Sequence, residues 1–279
     1  MCGRFASARK RAELLEEFRI ERDRVTESLA PDYNVAPTKK VYAVLTRGPR
    51  AADAEDDQRV ARELRVVRWG LVPSWAKEPS IGSRMINARA ETVASKPSFR
   101  GPFARRRCLL PADGFYEWMS VTEDGKTRKQ PYYIHRADGG VLAFAGLYDL
   151  WRDKSQPDDH PDAWLWTTVI ITTQAEDEVG QIHERTPMIV DPSVWGEWLD
   201  PANSQTSALH ALLTPAASTK LETYQVATDV NSVRNNGPGL IRPLQPAAAG
   251  GGSRNGPPGE DGGPSGRHRH RATAPLTLF

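Results

Sequence analysis

The chain has 279 residues, 39% of them hydrophobic and eight of them tryptophan, enough apolar material for one large domain or two small ones. Its formal net charge of +2 excludes a strongly basic protein that coats nucleic acid and leaves room only for a local basic groove. Two cysteines, Cys2 and Cys108, make neither a disulfide framework nor a metal knuckle, and the six histidines show no ligand spacing, so no metal and no cofactor are expected.

Residues 1–20 are charged throughout, and no apolar run approaches the roughly 18 residues needed to span a bilayer. The expectation is a soluble, cytoplasmic protein with no membrane partner, in which thiols stay reduced. The chain opens Met1-Cys2-Gly3-Arg4. Initiator methionine is normally trimmed before a small residue, which would leave Cys2 as the mature terminus with an amine and a thiol on adjacent carbons. Such a 1,2-aminothiol condenses with an aldehyde through the amine and then closes a thiazolidine ring through the thiol. With ordinary pKa values of about 7.7–8.0 and about 8.5, both groups are partly nucleophilic near neutral pH. The plain alternative is an incidental terminal residue, as most chain ends are.

Residues 8–19 read as an amphipathic surface helix with Ala12, Leu15 and Phe18 on one repeat. Pro31–Thr38 is turn chemistry, Val41–Thr46 a strand, and the acidic, alanine-rich stretch 48–63 a solvent loop or insertion. Leu64–Trp69 alternates as a strand and leads into the turn-rich Gly70–Trp75, and Asn87–Ala94 reads as a short helix. Cys108–Leu110, Phe115–Trp118, Tyr132–His135, Val141–Tyr148 and Leu165–Thr173 are short strands, aromatic or β-branched and punctuated by Pro and Gly. Asp191-Pro192 opens a helix running to about Trp198, and 206–213 forms another. Strands dominate and the helices follow no regular βαβ order. The fold class expected is therefore α+β, with a curved, barrel-like, mainly antiparallel sheet and flanking helices. Residues 1–245 are expected to form one domain. Beyond it, 246–266 is a Pro/Gly-rich linker too polar to fold, followed by basic Arg267–Arg271 and the tail Ala272–Phe279.

Several stretches hold more polar residues than packing requires. Taken singly, Glu117 also reads as a solvent-facing strand residue, His183 as a satisfied core histidine and Arg89 as half of a surface salt bridge. Together and in order, six motifs resemble the SOS-response-associated peptidase family over roughly residues 1–245. They are Met1-Cys2-Gly3-Arg4-Phe5, Asn34-Val-Ala-Pro37-Thr, Trp69-Gly70-Leu-Val-Pro73, Asn87-Ala-Arg89-Ala-Glu91-Thr, Gly114-Phe-Tyr-Glu117-Trp118 and His183-Glu-Arg185-Thr-Pro187. Asp229–Asn236 is similar to the family's closing segment.

The resemblance implies abasic-site processing in the DNA damage response. In that chemistry the Cys2 amine attacks C1′ of the ring-opened deoxyribose in single-stranded DNA. The Cys2 thiolate then closes a thiazolidine, and the crosslink shields the lesion from strand cleavage. It also implies catalytic roles for Cys2, Asn87, Glu117 and His183, and DNA contacts from Arg4, Pro37, Trp75, Arg89, Trp118 and Arg185.

Elementary chemistry agrees. Glu117 between aromatics is desolvated, which raises its pKa toward neutrality for proton transfer. His183 titrates near neutrality and can protonate the opening sugar. Arg4, Arg89 and Arg185 suit bidentate phosphate contacts, and Trp75, Phe115 and Trp118 suit stacking on bases. By the resemblance, Asn87 matches a family residue that holds the terminus or sugar without titrating; Glu91 is the alternative carboxylate, Trp69 reads as core and Cys108 as buried and inert.

Two rivals stand beside this reading: a thiol (auto)peptidase with a Cys2–His183 pair, and a non-covalent single-strand binder. The tail Pro275-Leu276-Thr277-Leu278-Phe279 resembles the Gln-Leu-x-Leu-Phe peptide by which bacterial repair proteins dock on the sliding clamp, with Pro275 in place of Gln. A frayed end of accidental composition is the alternative. A monomer is expected.

Overall fold

The computed structural model describes residues 2–48, 60–157, 160, 163–214 and 219–244; the expected linker and tail, and most of the 48–63 insertion, lie outside them. The strands, in chain order, are β1 Phe5–Ser7, β2 Arg22–Asp23, β3 Asp32–Val35, β4 Lys40–Arg47, β5 Ala61–Trp69, β6 Asn87–Arg89, β7 Arg107–Ala112, β8 Gly114–Glu123, β9 Lys126–Arg136, β10 Leu142–Arg152, β11 Trp164–Gln174, β12 Arg185–Pro187 and β13 Leu221–Gln225. The helices are short: α1 Arg11–Glu17, α2 Arg100–Arg105, α3 Asp177–Ile182, α4 Trp195–Leu199 and α5 Thr206–Ala211.

β5, β4, β7, β10 and β11 form a continuous antiparallel ladder. A short parallel pairing of Thr167 and Thr168 with Arg68 and Trp69 then joins β11 back to β5. Five strands thus close into a barrel, which leaves no free edge within the ring. β6 and β12 add to β11, and β2 adds to β5. A second sheet runs β13-β9-β8-β1-β3. Its long β8–β9 hairpin turns through Asp124 and Gly125, both at positive φ (49° and 72°), as a two-residue turn matched to strand twist requires.

Period-two alternation sorts the side chains. Val41, Ala43 and Leu45 of β4, Leu110 and Ala112 of β7, and Leu142 and Phe144 of β10 share one buried cluster inside the barrel. The second sheet caps that cluster with Phe5, Val35, Phe115 and Ile134. The alternate residues, including Tyr42, Val44, Leu109, Ala143 and Ala145, pack outward against Leu14 and Phe18 of α1, Phe103 of α2, Trp195 and Trp198 of α4 and Leu209 of α5. Phe18 stacks on Trp195 with ring centroids 4.6 Å apart. The α+β, barrel-like, mainly antiparallel class read from the sequence is the class found.

Three local expectations need correction. Pro31–Thr38 is not all turn: Asp32–Val35 is strand β3, paired with β1. Asn87–Ala94 is not a helix: Asn87–Arg89 is a strand paired in parallel with Ile170–Thr172, followed by turns. The long-range ladder overrides a helical propensity worth only tenths of a kcal/mol per residue. The 48–63 loop ends early, because Ala61, Arg62 and Glu63 already pair with Arg47, Thr46 and Leu45. Residues 191–199 follow the sequence reading: the Asp191 carboxylate accepts the Ser193 N–H at 2.9 Å and Pro192 opens the first turn. Among the described residues no helix is long and apolar enough to cross a membrane.

Candidate active site

β1 lies between β3 and β8, so the chain terminus is built into the middle of a sheet. Phe5 pairs with Phe115 and the Tyr116 N–H donates to the Arg4 carbonyl at 3.0 Å, so the ladder runs on toward Glu117 and Cys2. Cys2 is fully buried in the barrel-interior cluster with Trp69, Phe115 and Phe144. Its carbonyl accepts from Asn87 Nδ2 at 2.8 Å, and β6 carries Asn87 to that point through its pairing with β11.

Glu117 follows Phe115 by two residues on β8 and therefore faces the same side; it is 2% exposed. Burial pushes its carboxyl up to about 7, opposed by the amino-terminal charge of the chain and the Trp118 N–H. Burial also pushes the Cys2 thiol up, and the Glu117 charge adds to this. His183 follows α3, which packs against β8. Its Nδ1 accepts the Arg185 N–H at 3.0 Å, which fixes the neutral ring as the Nε2–H tautomer. Burial and the same amino-terminal charge push its pKa down.

The other expected residues divide. Arg4 Nη1 donates to Asn34 Oδ1 at 2.7 Å and to the Val230 carbonyl at 2.8 Å, and its guanidinium lies 5.8 Å over the Trp118 ring. Trp118 Nε1 donates to Asn231 Oδ1 at 2.6 Å. Arg89 is exposed, Trp75 is 61% exposed and Pro37 is half-buried. Arg185 is held by Glu91, with Nη2 donating to Oε2 at 3.1 Å and to the Thr172 carbonyl at 2.6 Å. That pairing pulls the exposed Glu91 carboxyl below the usual range, so Glu117, not Glu91, is the buried carboxylate beside Cys2.

Phe115 is fully buried and has no face for a base, which corrects the stacking expectation. Trp69 is core, and Cys108 lies inside the barrel with its thiol pushed up to about 12 by burial. Asn34, the first residue of the Asn34–Thr38 motif, has a structural task. It is fully buried, and its Nδ2 donates to the carbonyls of Val230, Ser232 and Asn235. The sequence signal for it is a polar side chain just ahead of the apolar Val35-Ala36 pair. Among the described residues no group of His, Cys, Asp and Glu is placed to hold a metal.

A closed five-strand barrel, capped by a second sheet whose first strand follows directly on a buried Cys2, defines the class of fold. The family model described as SOS response associated peptidase (SRAP) matches residues 1–233, and the chain belongs to that family. It is 40% identical over 241 residues to the abasic site processing protein YoqW of Bacillus subtilis, covering 86% of this chain and 99% of that protein. It is 34% identical over 238 residues to the abasic site processing protein HMCES of Gallus gallus, covering 77% and 67%. A crystal structure of a Bacteroides thetaiotaomicron protein superposes with a TM-score of 0.68 at 26% identity, covering 88% of this chain and all of that one. A phage-related protein of Bordetella bronchiseptica gives a TM-score of 0.57 at 29% identity, covering 81% and 94%.

Proposed function

We propose that this protein processes abasic sites in single-stranded DNA by forming a covalent thiazolidine crosslink through Cys2. The names of its relatives support the lesion as substrate. The observation that carries the chemistry is the buried Glu117 carboxyl, near 7, on the strand face directed to Cys2.

After removal of Met1, the Cys2 amine adds to the C1′ aldehyde to give a carbinolamine. Protonated Glu117 gives its proton to the departing hydroxyl, which leaves as water, and an iminium forms. The Glu117 carboxylate then takes the thiol proton, and the sulfur adds to the iminium carbon to close the ring, for a net loss of one water. A carboxyl near 7 suits both directions of transfer at neutral pH. Neutral His183, with Nδ1 occupied, offers Nε2–H to the ring oxygen as the sugar opens. Asn87 fixes the terminus by its carbonyl. Arg4 and Arg89 serve phosphates, Pro37, Trp75 and Trp118 line the strand, and Arg185 reaches phosphate by exchanging its Glu91 partner.

The peptidase reading asks Cys2 for a stabilised thiolate paired with an imidazolium. Here burial and Glu117 raise the thiol while burial lowers His183, which favours the crosslink. The deciding measurement is intact mass after denaturation, with an abasic-site oligonucleotide and wild type or Cys2→Ala. A wild-type adduct at the summed mass less Met1 and one water, absent from Cys2→Ala, is expected. No adduct from protein lacking Met1 would refute the proposal; retained binding would then point to a passive binder. The tail is proposed separately to dock on the sliding clamp, which deletion of Leu276–Phe279 should abolish.

A further inference from the structure

Half of the eight tryptophans are spent on packing. Trp69 and Trp198 are fully buried, and Trp195 and Trp151 are 7% and 8% exposed. Trp75 is different: its indole is 61% exposed, yet the backbone on either side of it is fastened. Ahead of it, the Gly70 N–H donates to the Thr168 carbonyl at 2.8 Å, Leu71 N–H to the Met85 carbonyl at 3.0 Å and Val72 N–H to Thr167 Oγ1 at 2.9 Å. Gly70 takes φ 124° here, and a Cβ on it would lie 2.5 Å from the Gly82 carbonyl oxygen. Leu71 and Val72 are fully buried.

The turn itself is closed by Ala76 N–H to the Pro73 carbonyl at 2.8 Å. Two side chains of β10 then clamp it from either side. Asp149, 4% exposed, accepts the Ser74 N–H at 3.2 Å, while its other oxygen takes the Leu150 N–H at 2.8 Å and faces Arg106 Nη2 at 3.3 Å. Trp151 Nε1 donates to the Ala76 carbonyl at 2.7 Å. Buried polar groups of this kind hold one backbone geometry, because any other leaves them unsatisfied.

We infer that Asp149 and Trp151 are positioning residues: they hold the 73–76 turn so that the Trp75 indole is a preset stacking platform for a base of the bound strand. The inference rests on the reading of the site as a binder of single-stranded DNA and adds to it the groups that set the platform. A surface indole on a loose loop must be ordered on binding, and that ordering subtracts from affinity; on a clamped turn the cost is met in folding. The clamp therefore acts on strand affinity rather than on the chemistry at Cys2. Neither residue contacts the strand in this account.

The test is a double-substitution cycle on the full chain with a fluorescent abasic-site oligonucleotide, reading the oligonucleotide concentration that half-saturates the initial crosslinking rate and the rate at saturation. Trp75→Ala should raise the half-saturating concentration about tenfold, as loss of one stacked base does. The saturating rate should stay within about twofold. Trp151→Phe, which keeps the ring and removes the N–H, should raise half-saturation several-fold in wild type and leave Trp75→Ala unchanged. Asp149→Ala should behave likewise, with Asp149→Asn restoring part of the loss, because its one oxygen can accept the Ser74 N–H only at the expense of the Leu150 N–H.

Equal effects of Trp151→Phe with and without the Trp75 indole, or no effect of Trp75→Ala, would overturn the inference. Thermal melts of each variant identify a folding defect, and the Asp149 pair then carries the cycle. If wild type forms no adduct at all, the crosslinking proposal fails by itself. The same cycle is then read as the Kd of an undamaged oligonucleotide by fluorescence anisotropy, with the same two outcomes.

Discussion

Glu117→Gln should stabilise this protein at neutral and alkaline pH while removing its chemistry. The Glu117 carboxyl moves from an ordinary 4.5 to about 7 on folding, with burial as the largest cause. Between those values the native state holds a proton that the unfolded chain has released, so wild-type stability falls as pH rises through this window. At about 1.36 kcal/mol per pH unit, the full difference is about 3 kcal/mol. For a domain of this size that is roughly 6–12 °C in Tm. Below pH 4.5 the neutral acid and the amide differ little, and the two curves should meet. Above about 7 the Gln variant should melt higher, and its adduct formation should be slower by about 100-fold or more, as loss of a proton-transfer group entails. Thermal melts of both proteins from pH 4 to 8.5 give the difference, in which the titrating groups remote from Glu117 cancel. Parallel curves, or a gap that opens toward low pH, would show that Glu117 is not desolvated and would remove the physical basis of its role.

Two further outcomes test the frame around the site. Asn34→Ala deletes the bonds to Arg4 and to the carbonyls of Val230, Ser232 and Asn235, and should cost about 2–3 kcal/mol in urea unfolding. Arg107, 3% exposed, donates to the carbonyls of Phe103, Ala104, Trp198, Asp200 and Asn203. It supplies a buried cation to the carbonyl ends of α2 and α4, so Arg107→Leu should cost about 3–5 kcal/mol. The folded fraction should still crosslink. A midpoint unchanged within error would refute either assignment.

What the sequence made legible follows from how local each signal is. Val141–Tyr148 and Leu165–Thr173 read as strands because β-branched and aromatic residues fill both faces, and β10 and β11 are there, each extended by a few residues. β6 was illegible because its strand geometry comes from β11, more than eighty residues along the chain, through bonds that no local pattern encodes. The same holds within the site. Glu117 stood out as a carboxylate among aromatics, yet which of Phe115 and Trp118 faces solvent depends on where β8 lies against β1. Arg185 looked free for phosphate; its partner Glu91 is 94 residues away in the chain. Asp149 and Trp151 lie just past the strand read at Val141–Tyr148, and nothing short of the fold shows what they clamp.

The placement of β1 also sets an order of events during synthesis. Cys2 and Phe5 leave the ribosome first, but the strand that covers them, β8, is made more than a hundred residues later. At about 5–20 residues per second that interval is roughly 6–20 s. The Met1–Cys2 bond is open to an aminopeptidase during that interval; once β8 docks, Cys2 is inside the barrel cluster. On the proposed mechanism, maturation of the terminus therefore competes with folding. A chain that keeps Met1 would fold around a Cys2 whose nitrogen is an amide and cannot form the iminium.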